Sequence, residues 1–125
     1  MSATPTQIKD FLSAFKQAAQ LDLNVIPRKK NIEFLTRHGF IPKERKEVIL
    51  GLQVENYCKG PEEDDKAGGP RDIWFFGVDY AGVQIYIKLQ LVEEKDEETD
   101  HKMRHAKCIS FHEAERQMRF PHKGR

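Results

Sequence analysis

VQIYIKLQLV, residues Val83 to Val92, places Val83, Ile85, Ile87, Leu89 and Leu91 at every second position. That period is the one expected of a strand with one buried face. Before it, Asp79-Tyr80-Ala81-Gly82 reads as a turn, and Asp72 to Val78 (DIWFFGV) is aromatic and strand-like. Two more strands are expected, a short one at Val54 to Cys58 and a last one at about His105 to Phe111. Lys59 to Arg71 (KGPEEDDKAGGPR) reads as a Gly/Pro/acid loop, and residues 93–101 as an acidic loop.

Upstream of Gly51 the period is helical. Ile8, Phe11, Leu12, Phe15, Ala18 and Ala19 recur at three- and four-residue steps, with Thr4 or Thr6 available as a cap. Asn24-Val25-Ile26 is a short extended piece stopped by Pro27. A second helix is expected from Asn31 to His38, ended by Gly39, and a third from Lys43 to Leu50 behind Pro42. Helices first and strands second predict an α+β fold, with N-terminal helices packed on one face of a twisted antiparallel sheet.

The 125 residues suit one domain, closing one modest core. The net charge of +1 conceals a strong asymmetry. Arg28 to Glu47 carries seven Lys/Arg against three acids, and His101 to Arg125 seven against two. Glu93 to Asp100 (EEKDEETD) carries six acids and one lysine. The basic segments, including a C-terminal tail at 113–125, would attract a polyanion such as RNA. They are also compatible with an ordinary charged surface. Two cysteines, Cys58 and Cys108, are too few for a disulfide scaffold or a zinc site. No apolar run approaches a membrane span, so the expectation is a cytoplasmic, soluble protein.

If Ile85, Ile87 and Leu89 face the helices, Gln84, Tyr86, Lys88 and Gln90 face away. In the last strand Ile109 and Phe111 are the expected core pair, turning Cys108, Ser110 and His112 to the opposite side. One face would then offer Tyr86, Lys88, Ser110 and His112 together. Those types suit RNA cleavage through the substrate's own 2′-hydroxyl. Histidine works near neutrality as acid or base. Lysine stabilises charge growing on phosphoryl oxygens, and tyrosine can stack on a base or donate a hydrogen bond. Trp74 is a candidate for base stacking, although the Trp74-Phe75-Phe76 cluster also suits a core. Each residue has an equally plain reading as a surface neighbour.

The order of pieces is more specific than any one of them. VILGLQVENYCKGP, DIWFFG, VQIYIKL and AKCISFH, taken in sequence, resemble the MqsR-like toxins of bacterial type II toxin–antitoxin systems, within the RelE-like group of mRNA interferases. The resemblance runs from about Asn24 to His112. It implies a RelE-like fold and an endoribonuclease that cuts single-stranded mRNA without metal, arresting growth until an antitoxin, often carrying a DNA-binding domain, neutralises it. The implied site matches Lys59, Tyr86 and Lys88, with His112 where the best-known member has lysine. Phe75 stands where that member has a glutamine, which removes a polar contributor. Lys107, Arg104, Arg116 and Arg119 would steer RNA, and the ribosome is a possible further partner. Two other readings share these residues: a non-catalytic RNA- or ribosome-binding module, and an interaction protein that pairs through a sheet edge.

Overall fold

The computed structural model describes residues 2–63 and 71–124. Helix α1 (Pro5–Leu21) starts at a reciprocal cap. Thr4 Oγ accepts from the Gln7 amide at 3.2 Å, and Gln7 Oε1 accepts from the Thr4 amide at 2.9 Å. Its stripe of Ile8, Leu12, Phe15, Ala18 and Ala19 is buried. Helix α2 (Lys29–His38) stops at Gly39, whose φ of 67° is left-handed, and α3 (Pro42–Leu50) opens on its proline.

Five strands follow the order β1-β5-β4-β3-β2 in one sheet. They are β1 (Leu23–Val25), β2 (Tyr57–Glu63), β3 (Arg71–Tyr80), β4 (Val83–Lys95) and β5 (Lys102–Glu113). The fold is α+β, but the sheet is mixed rather than antiparallel. β1 runs parallel to β5, with Leu23 opposite Ala106 and Val25 opposite Cys108. A parallel neighbour needs a long crossover, and here the whole chain between β1 and β5 supplies it.

Two expected boundaries move. Val54–Asn56 is a 3-10 turn, its entry fixed by Asn56 Oδ1 accepting from the Gln53 amide at 2.8 Å, and the strand begins only at Tyr57. Of the expected Gly/Pro/acid loop, residues 59–63 belong to β2 and residues 64–70 lie outside the described residues. The acidic loop is shorter than 93–101, because β4 continues to Lys95 and β5 starts at Lys102. Cross-strand contacts help the start of this acidic stretch stay in the ladder: Glu93 pairs with Arg104 opposite it at 3.3 Å, and Glu94 reaches the His105 ring diagonally at 3.4 Å.

One face of the sheet carries the core. Trp74, Phe76, Ile85, Ile87, Leu89, Cys108 and Phe111 pack there with the α1 stripe and Phe34 of α2. Trp74 is therefore corrected from an RNA-stacking candidate to a core residue. Its ring stacks on Phe11 at 4.5 Å and meets Tyr57 edge-on at 6.0 Å. Arg104, opposite Glu93, shares the strand phase of Cys108 and lies on the helix side of the sheet, paired with Glu93.

The expected pairing of Ile109 with Phe111 in the core is also wrong, for a specific reason. Lys88 pairs with Ser110 but Leu89 pairs with Cys108, so Ile109 is the extra residue of a β-bulge. The bulge reverses the phase of β5. Ala106 and Cys108 point inward before it, and Phe111 points inward after it. A bulge disrupts the ladder locally, and the backbone groups concerned find their partner in Asn31. This side chain is 1% exposed; its Nδ2 donates to the Ile109 and Ile26 carbonyls at 3.0 and 2.9 Å. Its Oδ1 accepts from the Phe111 amide at 3.0 Å.

Asn31→Ala leaves three buried backbone groups without this partner and should lower unfolding free energy by about 3 kcal/mol in urea titration. A loss well under ~1 kcal/mol would show that the amide is not what secures the bulge. The buried Cys108 thiol gives a second expectation. Burial pushes it from 9.0 to about 12 in the folded chain. The stability it contributes is complete below the unfolded value and falls as pH rises toward the folded one. Unfolding midpoints at pH ~8 and ~10.5 should therefore fall further for wild type than for Cys108→Ala.

Candidate functional site

The face of the sheet opposite the core carries two cross-strand rows. In the first, Lys59, Phe75, Lys88 and Ser110 are successive Cα partners across β2, β3, β4 and β5. In the second, Gly77, Tyr86 and His112 are partners across β3, β4 and β5. The structure thus brings Lys59, Tyr86, Lys88 and His112 onto one side of the sheet. Ser110 and His112 reach it only because the Ile109 bulge turns β5 over.

Lys59, Lys88 and Ser110 of the first row and Tyr86 and His112 of the second floor a cavity of about 950 Å3, with Phe75 beneath the two lysines and outside its lining. One wall is the start of α2, with Arg28, Lys29 and Lys30. The other is the C-terminal tail from Ala114 to Arg119. Among the described residues, seven lysines and arginines line the space (Arg28, Lys29, Lys30, Lys59, Lys88, Arg116, Arg119), against one carboxylate, Glu115. Glu115 joins the two walls through an ion pair with Lys30. The hydrogen bond and charge of Lys30 hold the Glu115 carboxyl below its ordinary range. Lys59 lies 3.5 Å from Glu62. Lys88, at the centre, has no carboxylate at ion-pair distance among the described residues.

The aromatic groups sit among these cations. The Lys59 ammonium is over the Phe75 ring at 4.5 Å and that of Lys88 at 5.6 Å from its centroid. The Tyr86 and His112 rings are 5.3 Å apart. Burial, joined by the Cys58 thiol and Glu62, raises the Tyr86 hydroxyl above its ordinary value against the opposing pull of Arg28, so Tyr86 keeps its proton at neutral pH. His112 Nδ1 lies 2.9 Å from the Glu113 carbonyl oxygen. A carbonyl only accepts, so in the neutral ring Nδ1 carries the proton and Nε2 is left as the acceptor.

The tail is built into this arrangement. Its first amide, Ala114, extends the ladder by donating to the Gln84 carbonyl at 2.8 Å. Farther on, His122 Nε2 sits 2.9 Å from the Ala3 carbonyl and its ring packs on Tyr57. Between these anchors Met118 and Phe120 cross β3 at Gly77. A Cβ there would stand 2.7 Å from Met118 Sδ and 2.9 Å from Phe120 Cζ.

Of the residues expected to steer RNA, Arg116 and Arg119 line the cavity. Lys107 is on the same face one row beyond, opposite Gln90, and does not line it. Arg104 and Trp74 are on the other face. The sequence reading missed the basic triplet Arg28-Lys29-Lys30 as a wall, although the charge of its segment was visible. It also treated Phe75 only as a lost polar group. Among the described residues there is no cluster of three or more His, Cys, Asp or Glu that could hold a metal, and no helix is long and apolar enough to cross a membrane. Comparison with known protein families, curated proteins and solved structures gives no match.

Gly77→Val should drive Met118 and Phe120 off the sheet while leaving the strands paired, since valine suits a strand interior. Limited trypsin digestion is then expected to cut after Arg116 or Arg119 roughly tenfold faster than in wild type. An unchanged digestion rate would mean that the tail is held elsewhere.

Proposed function

We propose that this protein is a RelE-like, MqsR-like endoribonuclease that cleaves single-stranded RNA through the substrate's own 2′-hydroxyl. The observation that carries the reading is the pair of rows in a cationic cavity: an ammonium row next to a tyrosine–histidine row. A polyanion is drawn to such a surface. A cavity walled on two sides by α2 and the tail suits a single strand better than a rigid duplex.

In this reading His112 Nε2 takes the proton from the 2′-hydroxyl, and the freed oxygen attacks the adjacent phosphorus. The bond to the 5′-oxygen breaks, and that oxygen takes up a proton, for which Tyr86, held protonated by its burial, is the candidate donor. The products are a 2′,3′-cyclic phosphate and a 5′-hydroxyl. Lys88 and Lys59 meet the charge that grows on the phosphoryl oxygens. Arg116, Arg119 and the Arg28–Lys30 wall hold the flanking phosphates. The reading needs no metal. Its biological form, by resemblance, is an mRNA interferase toxin, with or without the ribosome, and an antitoxin partner that blocks this cavity.

The test is incubation of purified protein with mixed-sequence single-stranded RNA in EDTA, with mapping of the cut ends. His112→Ala and Lys88→Ala, both folded by circular dichroism, should each cleave about a hundredfold more slowly or worse. Wild-type rates in folded His112→Ala would remove the histidine from the mechanism. RNA that is bound but left intact by wild type, with translating ribosomes also present, would favour a non-catalytic binding module.

A further inference from the structure

We infer that Phe75 is a positioning residue, the central post of a two-lysine anion clamp. The inference rests on the cavity being a polyanion site, and goes beyond that reading in naming what holds its two central charges in place. Phe75 is 6% exposed although it points away from the core, because its neighbours on this face cover it. It stands on β3 between its direct partners Lys59 on β2 and Lys88 on β4. Both ammonium groups lie over its ring, at 4.5 and 5.6 Å from the centroid. The Tyr86 ring is 6.1 Å away on the same face.

Two like charges converging on one point repel, and a lysine stem is otherwise free to swing into solvent. The negative face of an aromatic ring offsets part of that repulsion without adding a formal negative charge. A carboxylate or an amide in this place would act differently. A carboxylate would neutralise the lysines, and an amide would hydrogen-bond to them and compete with the incoming phosphate. The ring faces both ammonium groups on one side and leaves the N–H donors turned away from it available to an anion. A phosphate seated above Phe75 can then take a hydrogen bond from each lysine. Lys59 is also tied to Glu62, so the phosphate displaces a weak, half-exposed pair at Lys59 and meets at Lys88 an ammonium with no ion-pair partner among the described residues.

Two probes separate this clamp from the nuclease reading. The first is inorganic pyrophosphate, titrated calorimetrically, which requires no catalysis. The second is a short oligodeoxynucleotide, which lacks the 2′-hydroxyl, titrated over a range of salt concentrations. Phe75→Leu, checked for cooperative folding, should weaken pyrophosphate binding roughly tenfold and lower the salt slope of oligonucleotide binding by about one ion. Phe75→Tyr, which keeps the ring, should restore both. A role confined to packing would lower the melting temperature of Phe75→Leu and leave the slope unchanged. Equal affinity and equal slope in wild type and Phe75→Leu would overturn the clamp, as would a wild type that binds no pyrophosphate. If pyrophosphate binding depends on Phe75 but wild type leaves RNA intact, the clamp stands and the nuclease reading falls.

Discussion

A single buried amide decides which way the site faces. Cys108 is in the core, and strict alternation from it would put Ser110 and His112 in the core as well. Ile109, as the extra residue of a bulge, changes the phase and sends both to the opposite side. A bulge inside a sheet leaves backbone groups out of register, and buried groups of that kind are costly without partners. Asn31 answers the Ile109 carbonyl, the Phe111 amide and the Ile26 carbonyl with one side chain. The same residue sits in the first turn of α2, so it also places Arg28, Lys29 and Lys30 beside the rows they wall. Fold and site share this one joint.

The electrostatics of the cavity follow from that geometry. Collecting seven cations around one space is unfavourable in itself, and the local partners relieve only part of it. Lys30 has Glu115, Lys59 has Glu62, and Lys29 has Glu33 at 3.8 Å on the outward side of α2. These pairs are exposed, where an ion pair is worth little and water screens the charge. Lys88 is half-buried on the sheet floor, over the Phe75 ring and with no ion-pair partner among the described residues. Structural charge networks usually neutralise their most buried member first. Here, among the described residues, the centre is the member without a counter-charge, which is the pattern expected where a ligand supplies it.

How far the sequence discloses this depends on the range of the interaction. The alternation of Val83 to Val92 is local, and it correctly separates Ile85, Ile87 and Leu89 from Tyr86 and Lys88. The α1 stripe and the Gly39 stop are local too, and both lie where the periodicity puts them. The departures are non-local. The phase of β5 depends on Asn31, some eighty positions away, so no pattern within AKCISFHEAE distinguishes Cys108-in from Ile109-in. β1 lies parallel because it reaches the edge of β5 left open beyond the hairpin, which its own three residues do not encode. The start of the acidic run stays in β4 with help from Arg104 opposite it and His105 on the diagonal. Trp74 and Phe75 are adjacent aromatics that alternation sends to opposite faces. Only the register with β4 says which one belongs to the core.

Phe75 also shows that an apolar ring can serve a cationic surface such as this one. Counted as hydrogen-bonding groups, a ring in place of a polar side chain subtracts one. Counted as charge, the ring's π-system attracts the two ammonium groups that approach it, and it leaves their outward donors available. The rows then divide the chemistry that the proposed reaction requires. In that proposal the Lys59–Phe75–Lys88 row would meet charge on the phosphate, and the Tyr86–His112 row would move protons. Burial keeps the Tyr86 hydroxyl protonated, and the Glu113 carbonyl orients the His112 ring so that its other nitrogen accepts. A donor and an acceptor on facing strands, 5.3 Å apart between ring centres, lie one sheet step from the Lys59–Phe75–Lys88 row. Because neighbouring strands fix that spacing, the relative placement of acid, base and charge comes from β-sheet geometry and not from mobile loops.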